Sequence, residues 1–267
     1  VTAIQVQDLH KSFDSLHVLR GIDFEIAQGE CVILLGANGC GKSTLMRCLN
    51  GLERPDRGNA YMHGTDIATA DARQLCQLRR QVGVVFQQFN LVQNLSVFQN
   101  VLYGAMGEQR FGLLATLSPL ANDALRERAM YCLERVSLAD KAKHKCREIS
   151  GGQQQRVAIA RTLMQEPSVL IADEPVASLD PSAGRNVMNL LMAIVEEQRM
   201  TVLCSLHQLE LASEYGDRLI GMKAGRIELD ASRDTVDHQR MASLYQGDVR
   251  VDHVPTTHHE RPVTASV

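Results

Sequence analysis

Gly36-Ala37-Asn38-Gly39-Cys40-Gly41-Lys42-Ser43-Thr44 fits G-x-x-x-x-G-K-[ST], the phosphate-binding loop, and its flanks suit that reading. The preceding Cys31-Val32-Ile33-Leu34-Leu35 is an apolar run of strand length. Residues 42–50 carry Leu45, Met46 and Leu49 at helical spacing. Strand, glycine loop and helix together aim backbone N–H groups and a helix N-terminus at an anion. Glycines let the main chain approach phosphate, Lys42 supplies charge for the β- and γ-phosphates, and Ser43 offers a hydroxyl to Mg²⁺. The loop predicts a nucleoside triphosphate. Its use has to be read from the rest of the chain.

A chain of 267 residues is long enough for one large α/β domain or two small ones. With 45% hydrophobic and 22% charged residues it has the composition of a soluble globular protein. A net charge of -3 gives no broad basic face for nucleic acid, and Lys141-Ala142-Lys143-His144-Lys145 reads as solvated surface. The seven cysteines are scattered and form no C-x-x-C pair, the usage of a reducing cytosol. No apolar stretch approaches the roughly 18–20 residues that span a bilayer, and no secretory leader is evident, so a membrane role needs a partner.

The first thirty residues read as short strands around Ile4, Val6 and Leu9, then Val18-Leu19, then Ile22, Phe24 and Ile26, with turns at Gly21 and Gln28-Gly29. After the loop helix come a strand over 59–63, a polar helix over 71–80 and a buried strand over 82–86. Residues 88–148 hold no convincing strand; 121–136 is an amphipathic helix with Leu125, Ala129, Cys132, Leu133 and Val136 on one face. Residues 104–119 read as a loop or irregular helix. The pattern then gives a helix to about Gln165, a strand over 169–172, a helix over 183–198, a strand over 201–205 and a short helix from Gln208. Short strands at Leu219-Ile220 and Arg226-Ile227 precede a last helix to about Gln246. Strands alternating with helices predict an α/β fold, a largely parallel sheet covered on both faces, with a helical insertion between its halves. The last twenty residues read as a disordered tail, in which His258-His259 beside Glu260 is more simply solvated than metal-bound.

Val169-Leu170-Ile171-Ala172-Asp173-Glu174 is an apolar strand ending in two carboxylates. Ligands of parallel sheets bind at the carboxyl ends of strands, so Asp173 and Glu174 fall beside the loop if the two strands are neighbours. Adjacent side chains point apart, which lets one carboxylate hold a metal's water shell and the next take a proton from attacking water. His207 follows strand 201–205 to the same edge, although a lone histidine is more often a satisfied surface or core residue. Gln87 ends strand 82–86, where its amide can reach a metal or a water. Ile149-Ser150-Gly151-Gly152-Gln153 opens a helix with serine and two glycines, a second anion-binding helix start. One phosphate loop has no evident use for a second cradle, unless two copies pair head to tail and each closes the other's nucleotide.

With these motifs in this order, residues 1–246 resemble the ATP-binding subunit of an ABC transporter. Ile149-Ser150-Gly151-Gly152-Gln153 is similar to the family signature LSGGQ, with an apolar exchange at its first position. The resemblance implies an ABC ATPase architecture: a P-loop NTPase core with an N-terminal antiparallel part and an inserted helical subdomain. The domain runs over 1–247, with core 1–87 and 160–247, helical subdomain 88–159 and tail 248–267. It implies ATP and Mg²⁺ as cofactors, nucleotide binding by residues 36–44 and by Phe13 stacked on adenine, and Mg²⁺ held by Ser43, Gln87 and Asp173, partly through water. Glu174 is implied as general base, His207 as the γ-phosphate switch and Gln87 as the link to a permease. Ser150, Gly151, Gly152 and Gln153, with Asp180 of Ser178-Leu179-Asp180, are implied to act across a dimer. The implied partners are a second copy, two permease subunits and, indirectly, a solute-binding protein, at the cytoplasmic face of the inner membrane; nucleic acid is not expected.

The run 174–181, residues 150–161 and the long segment 103–121 are similar to phosphonate-import ATPases. That points to phosphonate or a related small phosphorus oxyanion, phosphite or phosphate. The rival readings are the ATPase of another ABC importer or of an exporter, a soluble ABC ATPase acting on nucleic acid or ribosomes, and a small-molecule kinase sharing only the loop. A kinase would leave the 149–153 segment without a purpose.

Overall fold

A computed structural model describes residues 1–107 and 121–245 of the chain. Most of the segment expected to be irregular, 104–119, and the expected tail 248–267 lie outside the described residues. An antiparallel sheet is formed by β1 (Thr2–Phe13), β2 (Leu16–Ala27), β4 (Arg57–Met62) and β5 (Thr65–Asp66), in the order β2-β1-β4-β5. The second sheet contains β3 (Cys31–Leu35), β6 (Val82–Val85), β7 (Val169–Asp173), β8 (Thr201–Ser205), β9 (Arg218–Lys223) and β10 (Arg226–Ser232). Its order is β10-β9-β3-β8-β7-β6, parallel throughout except for the β10 edge.

The central strands explain the continuous apolar runs in the sequence: every residue of β3 and β8 is buried. A parallel sheet covered on both faces has no water-facing side and needs no polar alternation. Successive residues of β3 supply two different cores. Cys31, Ile33 and Leu35 face one; Val32 and Leu34 face the other, shared with the antiparallel sheet, α1 (Lys42–Leu49) and α2 (Ala72–Gln81).

The three short N-terminal strands expected from the sequence are two long ones. Gly21 is no turn: it lies within β2 at φ +79°, close to the side chains of Asp8 and His10. Opposite it, β1 breaks register between Val6 and Leu9, with Asp8 itself at φ 44°. A bulge, which takes the same residue types as a turn, bends the strand without ending it. Gly58 is needed on the other side of the bulge, since a Cβ there would stand 2.0 Å from the Asp8 carbonyl oxygen.

Between β6 and β7 the described residues form no strand. They form α3 (Val97–Leu102), a 3₁₀ turn (Tyr103–Gly107), α4 (Asp123–Arg135) and α5 (Gly151–Leu163). The face expected on α4 is the buried one: Leu125, Ala129, Cys132 and Leu133, with Val136 just beyond. Arg135 on α4 makes a two-pronged ion pair with Glu197 at 2.6 and 2.5 Å, tying α4 to α6 (Pro181–Gln198). After β8 come α7 (Leu209–Tyr215) and, beyond β10, α8 (His238–Ser243). The last helix is shorter than expected because a 3₁₀ turn, Arg233–Thr235, takes up its beginning. Among the described residues no helix is long and apolar enough to cross a membrane.

All seven cysteines are free thiols, and only Cys76, on α2, is exposed. Burial pushes Cys31 and Cys48 up to about 12 and Cys132 and Cys146 up to about 11, so these thiols stay protonated and inert. Titration of the folded protein with a thiol reagent at neutral pH should label Cys76 rapidly and the others only after unfolding. Rapid labelling of two or more sites without denaturant would contradict this packing.

Candidate functional site

The loop between β3 and α1 turns on glycines in the left-handed region: Gly36 at φ +146°, Gly39 at +80° and Gly41 at +111°. At Gly36 there is no space for a side chain, because a Cβ would lie 2.3 Å from the Met222 carbonyl oxygen. Gly41 caps α1 without a side-chain hydrogen bond, which leaves the first-turn N–H groups open to an anion. Lys42 is 4% exposed, and its Nζ donates to the carbonyl oxygens of Gly36 (2.8 Å) and Ala37 (3.2 Å). A cavity of about 650 Å³ opens over this loop, lined by Asn38, Gly39, Gly41, Lys42, Ser43 and Thr44 together with Val18, Gln87, Glu174, Ala177 and His207.

The two carboxylates arrive by a route that differs from expectation. β3 and β7 are not neighbours; β8 lies between them. Ser205, the last residue of β8, pairs with Leu34 on one side and Asp173 on the other. Its hydroxyl donates to Asp173 Oδ1 at 2.8 Å and accepts the Glu174 N–H at 2.9 Å, so one serine fixes both acidic residues. Glu174 sits at φ 49°, a conformation that costs energy for a non-glycine residue and recurs where a side chain must be aimed. Its Oε1 lies 4.0 Å from Lys42 Nζ and 2.5 Å from His207 Nε2. Cation, carboxylate and imidazole therefore converge where a terminal phosphate and an attacking water can meet.

Beside this cavity, Ser43, Gln87 and Asp173 line one recess of about 560 Å³ that also includes Arg47, Glu53, Gln88 and Asn90. The chain after Gln87 is held from α5: Arg161 donates to the carbonyl oxygens of Asn90 (2.7 Å) and Phe89 (3.1 Å). Burial lowers the pKa of that guanidinium.

Other sequence candidates stand apart. Phe13, 40% exposed at the β1–β2 turn under the Lys11 ammonium at 5.2 Å, does not line the cavity. Gly36, Ala37 and Cys40 form the back of the loop, with Cys40 buried against Gly36. Ser150 caps α5 in a reciprocal box: its hydroxyl accepts the Gln153 N–H at 3.3 Å and Gln153 Oε1 accepts the Ser150 N–H at 3.0 Å. Gly151 and Gly152 face Leu179 and Ala183, so this segment lies against Asp180, which caps α6. Asp180 accepts hydrogen bonds from the Ala183 N–H and from Ser182, which hold its carboxyl below the usual range. None of Ser150, Gly151, Gly152, Gln153 and Asp180 lines the cavity over Lys42. Sequence reasoning missed Val18, Ala177, Ser205 and Arg161. For Ser205 a signal existed: it is the polar residue that ends an apolar strand two positions before His207.

A family model described as "ABC transporter" matches residues 19–177. A phosphonates import ATP-binding protein of Frankia casuarinae is 45% identical over 244 residues, covering 91% of this chain and 96% of that protein. A hypophosphite import ATP-binding protein of Stutzerimonas stutzeri is 43% identical, covering 91% and 71%. An ATP-binding cassette solved as a dimer in a post-hydrolysis state with ADP and phosphate superposes with a TM-score of 0.75. It is 32% identical and the match covers 86% of this chain and 98% of that one.

Ser205→Ala leaves the Glu174 N–H without its acceptor and Asp173 without its donor. Its kcat for ATP hydrolysis should fall roughly tenfold, the effect of about 1.4 kcal/mol on a barrier. Steady-state phosphate release checks this; an unchanged kcat would show that Ser205 is not the pivot of the site.

Proposed function

The chain belongs to the ABC transporter family, and from that premise we propose that it is the ATP-hydrolysing motor of an importer for small phosphorus oxyanions. The observation that carries the catalytic part is the meeting of Lys42, Glu174 and His207 over the phosphate loop. Glu174 takes a proton from the attacking water, His207 senses the γ-phosphate, and residues 36–44 cradle the phosphates. Phe13 supplies a stacking face for adenine from the hairpin that also carries Val18. The solute class, phosphonate or a related small phosphorus oxyanion such as phosphite or phosphate, is in keeping with the two similar import proteins, one named for phosphonates and the other for hypophosphite.

Ser43, Gln87 and Asp173 offer hydroxyl, amide and carboxylate oxygens to one recess, the hard ligands that Mg²⁺ takes. These residues would hold the ion, partly through water, and when bound it would neutralise charge on the β- and γ-phosphates. Among the described residues no group of three or more His, Cys, Asp or Glu could hold a metal by itself.

The partners follow from residues that stand apart from the cavity over Lys42. Ser150, Gly151, Gly152, Gln153 and Asp180 act on the nucleotide of a second copy, paired head to tail. Two permease subunits dock on the pair, one on each copy, at the core-to-helical junction, where a groove of about 440 Å³ is lined in part by Leu52, Phe86, Tyr103 and Met106. Leu52 is 56% exposed there and Met106 37%, large apolar surface for a partner to cover. A solute-binding protein serves the permease, and the subunit sits on the cytoplasmic face of the inner membrane. The helical subdomain is assigned to 88–159 between core segments 1–87 and 160–247; the last turn of α5 belongs to the core through the Thr162 hydroxyl on the Val84 carbonyl at 3.2 Å.

Two measurements test the reading. Glu174→Gln should cut phosphate release roughly a hundredfold or more, and His207→Ala should slow it strongly; near-normal turnover in either would remove that residue from its role. Cells lacking the subunit should lose uptake of labelled phosphonate or phosphite and recover it only with the active form. Unchanged uptake of both would overturn the solute assignment.

A further inference from the structure

The N–H of Gly36 lies just past the end of β3, where the sheet no longer offers it an acceptor, and the residue is buried. Its partner comes from 209 residues further along the chain: the N–H donates to the hydroxyl of Tyr245 at 3.3 Å. Tyr245 is brought there by an anchored segment. Lys223 on β9 donates to the Ser243 carbonyl at 3.1 Å, and Leu244 fills the space over Gly221, where a Cβ would stand 2.4 Å from its Cδ1. Met241 and Leu244 are buried in the core shared with β3. β9 is also the strand whose Met222 carbonyl closes over Gly36. The phosphate loop is thus held at its entry from two sides, by a strand and by a phenol.

We propose that Tyr245 is a positioning residue for nucleotide binding, fixing the Gly36 peptide so that the loop is already in its phosphate-accepting shape. An orphaned buried N–H is costly, so a chain without this hydroxyl relieves it by turning the peptide toward another acceptor. The loop would then occupy its binding shape for only part of the time, and apparent affinity falls by that fraction. Burial pushes the phenol's pKa up, so the hydroxyl is neutral at physiological pH and its proton plays no part in the chemistry.

The inference rests on the loop's being the ATP site, and the test separates the two. Tyr245→Phe in the full chain keeps the ring and its packing but removes the acceptor. KM and the dissociation constant for ATP should rise roughly tenfold with kcat within about twofold, the signature of lost ground-state organisation. Wild-type KM and affinity in Tyr245→Phe, whatever happens to Tm, would reduce Tyr245 to a packing residue and overturn the proposal, as would a fall in kcat at unchanged KM. A wild-type chain that binds no ATP would overturn both the proposal and the site.

Discussion

Three parallel strands ending level at one edge of the sheet are the constraint on which the rest depends. β3 delivers the phosphate loop, β8 delivers Ser205 and His207, and β7 delivers Asp173 and Glu174. Their register sets Leu34, Ser205 and Asp173 side by side. A slip of one residue in β8 would turn Ser205 to the opposite face and separate the carboxylates from the cation. The buried alternation of Val202 and Cys204 against Leu203 in β8 resists such a slip, because each set fills a different core. Packing therefore fixes the chemistry.

A second constraint is electrostatic. Lys42 is buried, and two carbonyl oxygens and the Glu174 carboxylate surround its ammonium. A phosphate entering the loop replaces neutral acceptors with an anion at an almost fully buried ammonium, where charge counts for more. In the proposed pair, the same change of charge is what gives the nucleotide its leverage on the partner copy. Only a ligand that favours the closed pair over the open one can move anything, and in the proposed head-to-tail pair that difference is assigned to the residues of the 150–153 segment.

Much of this was legible in the sequence, and the failures have physical causes. The loop, its strand and its helix were readable because glycine spacing and apolar periodicity are local. The α4 face of Leu125, Ala129, Cys132 and Leu133 was readable for the same reason. Strand order was not: the 31–35 and 169–173 runs look alike, and nothing local says that 201–205 lies between them. Ser205 shows in the sequence only as the polar end of an apolar strand, and its hold on Asp173 and Glu174 depends on neighbours across two strands that no local pattern gives. Gly21 read as a turn because a bulge and a turn ask for the same backbone. Tyr245 stands more than two hundred residues from Gly36, a contact that only the folded chain can make.

The central claim is that each nucleotide is shared between two copies, and the mass of the particle tests it most directly. Sedimentation of Glu174→Gln should give a single chain without nucleotide and a dimer with ATP. Adding Ser150→Arg to the same chain should restore the single-chain mass while ATP still binds. A Glu174→Gln chain that binds ATP and stays single, or one that pairs equally well with Ser150→Arg, would contradict the account.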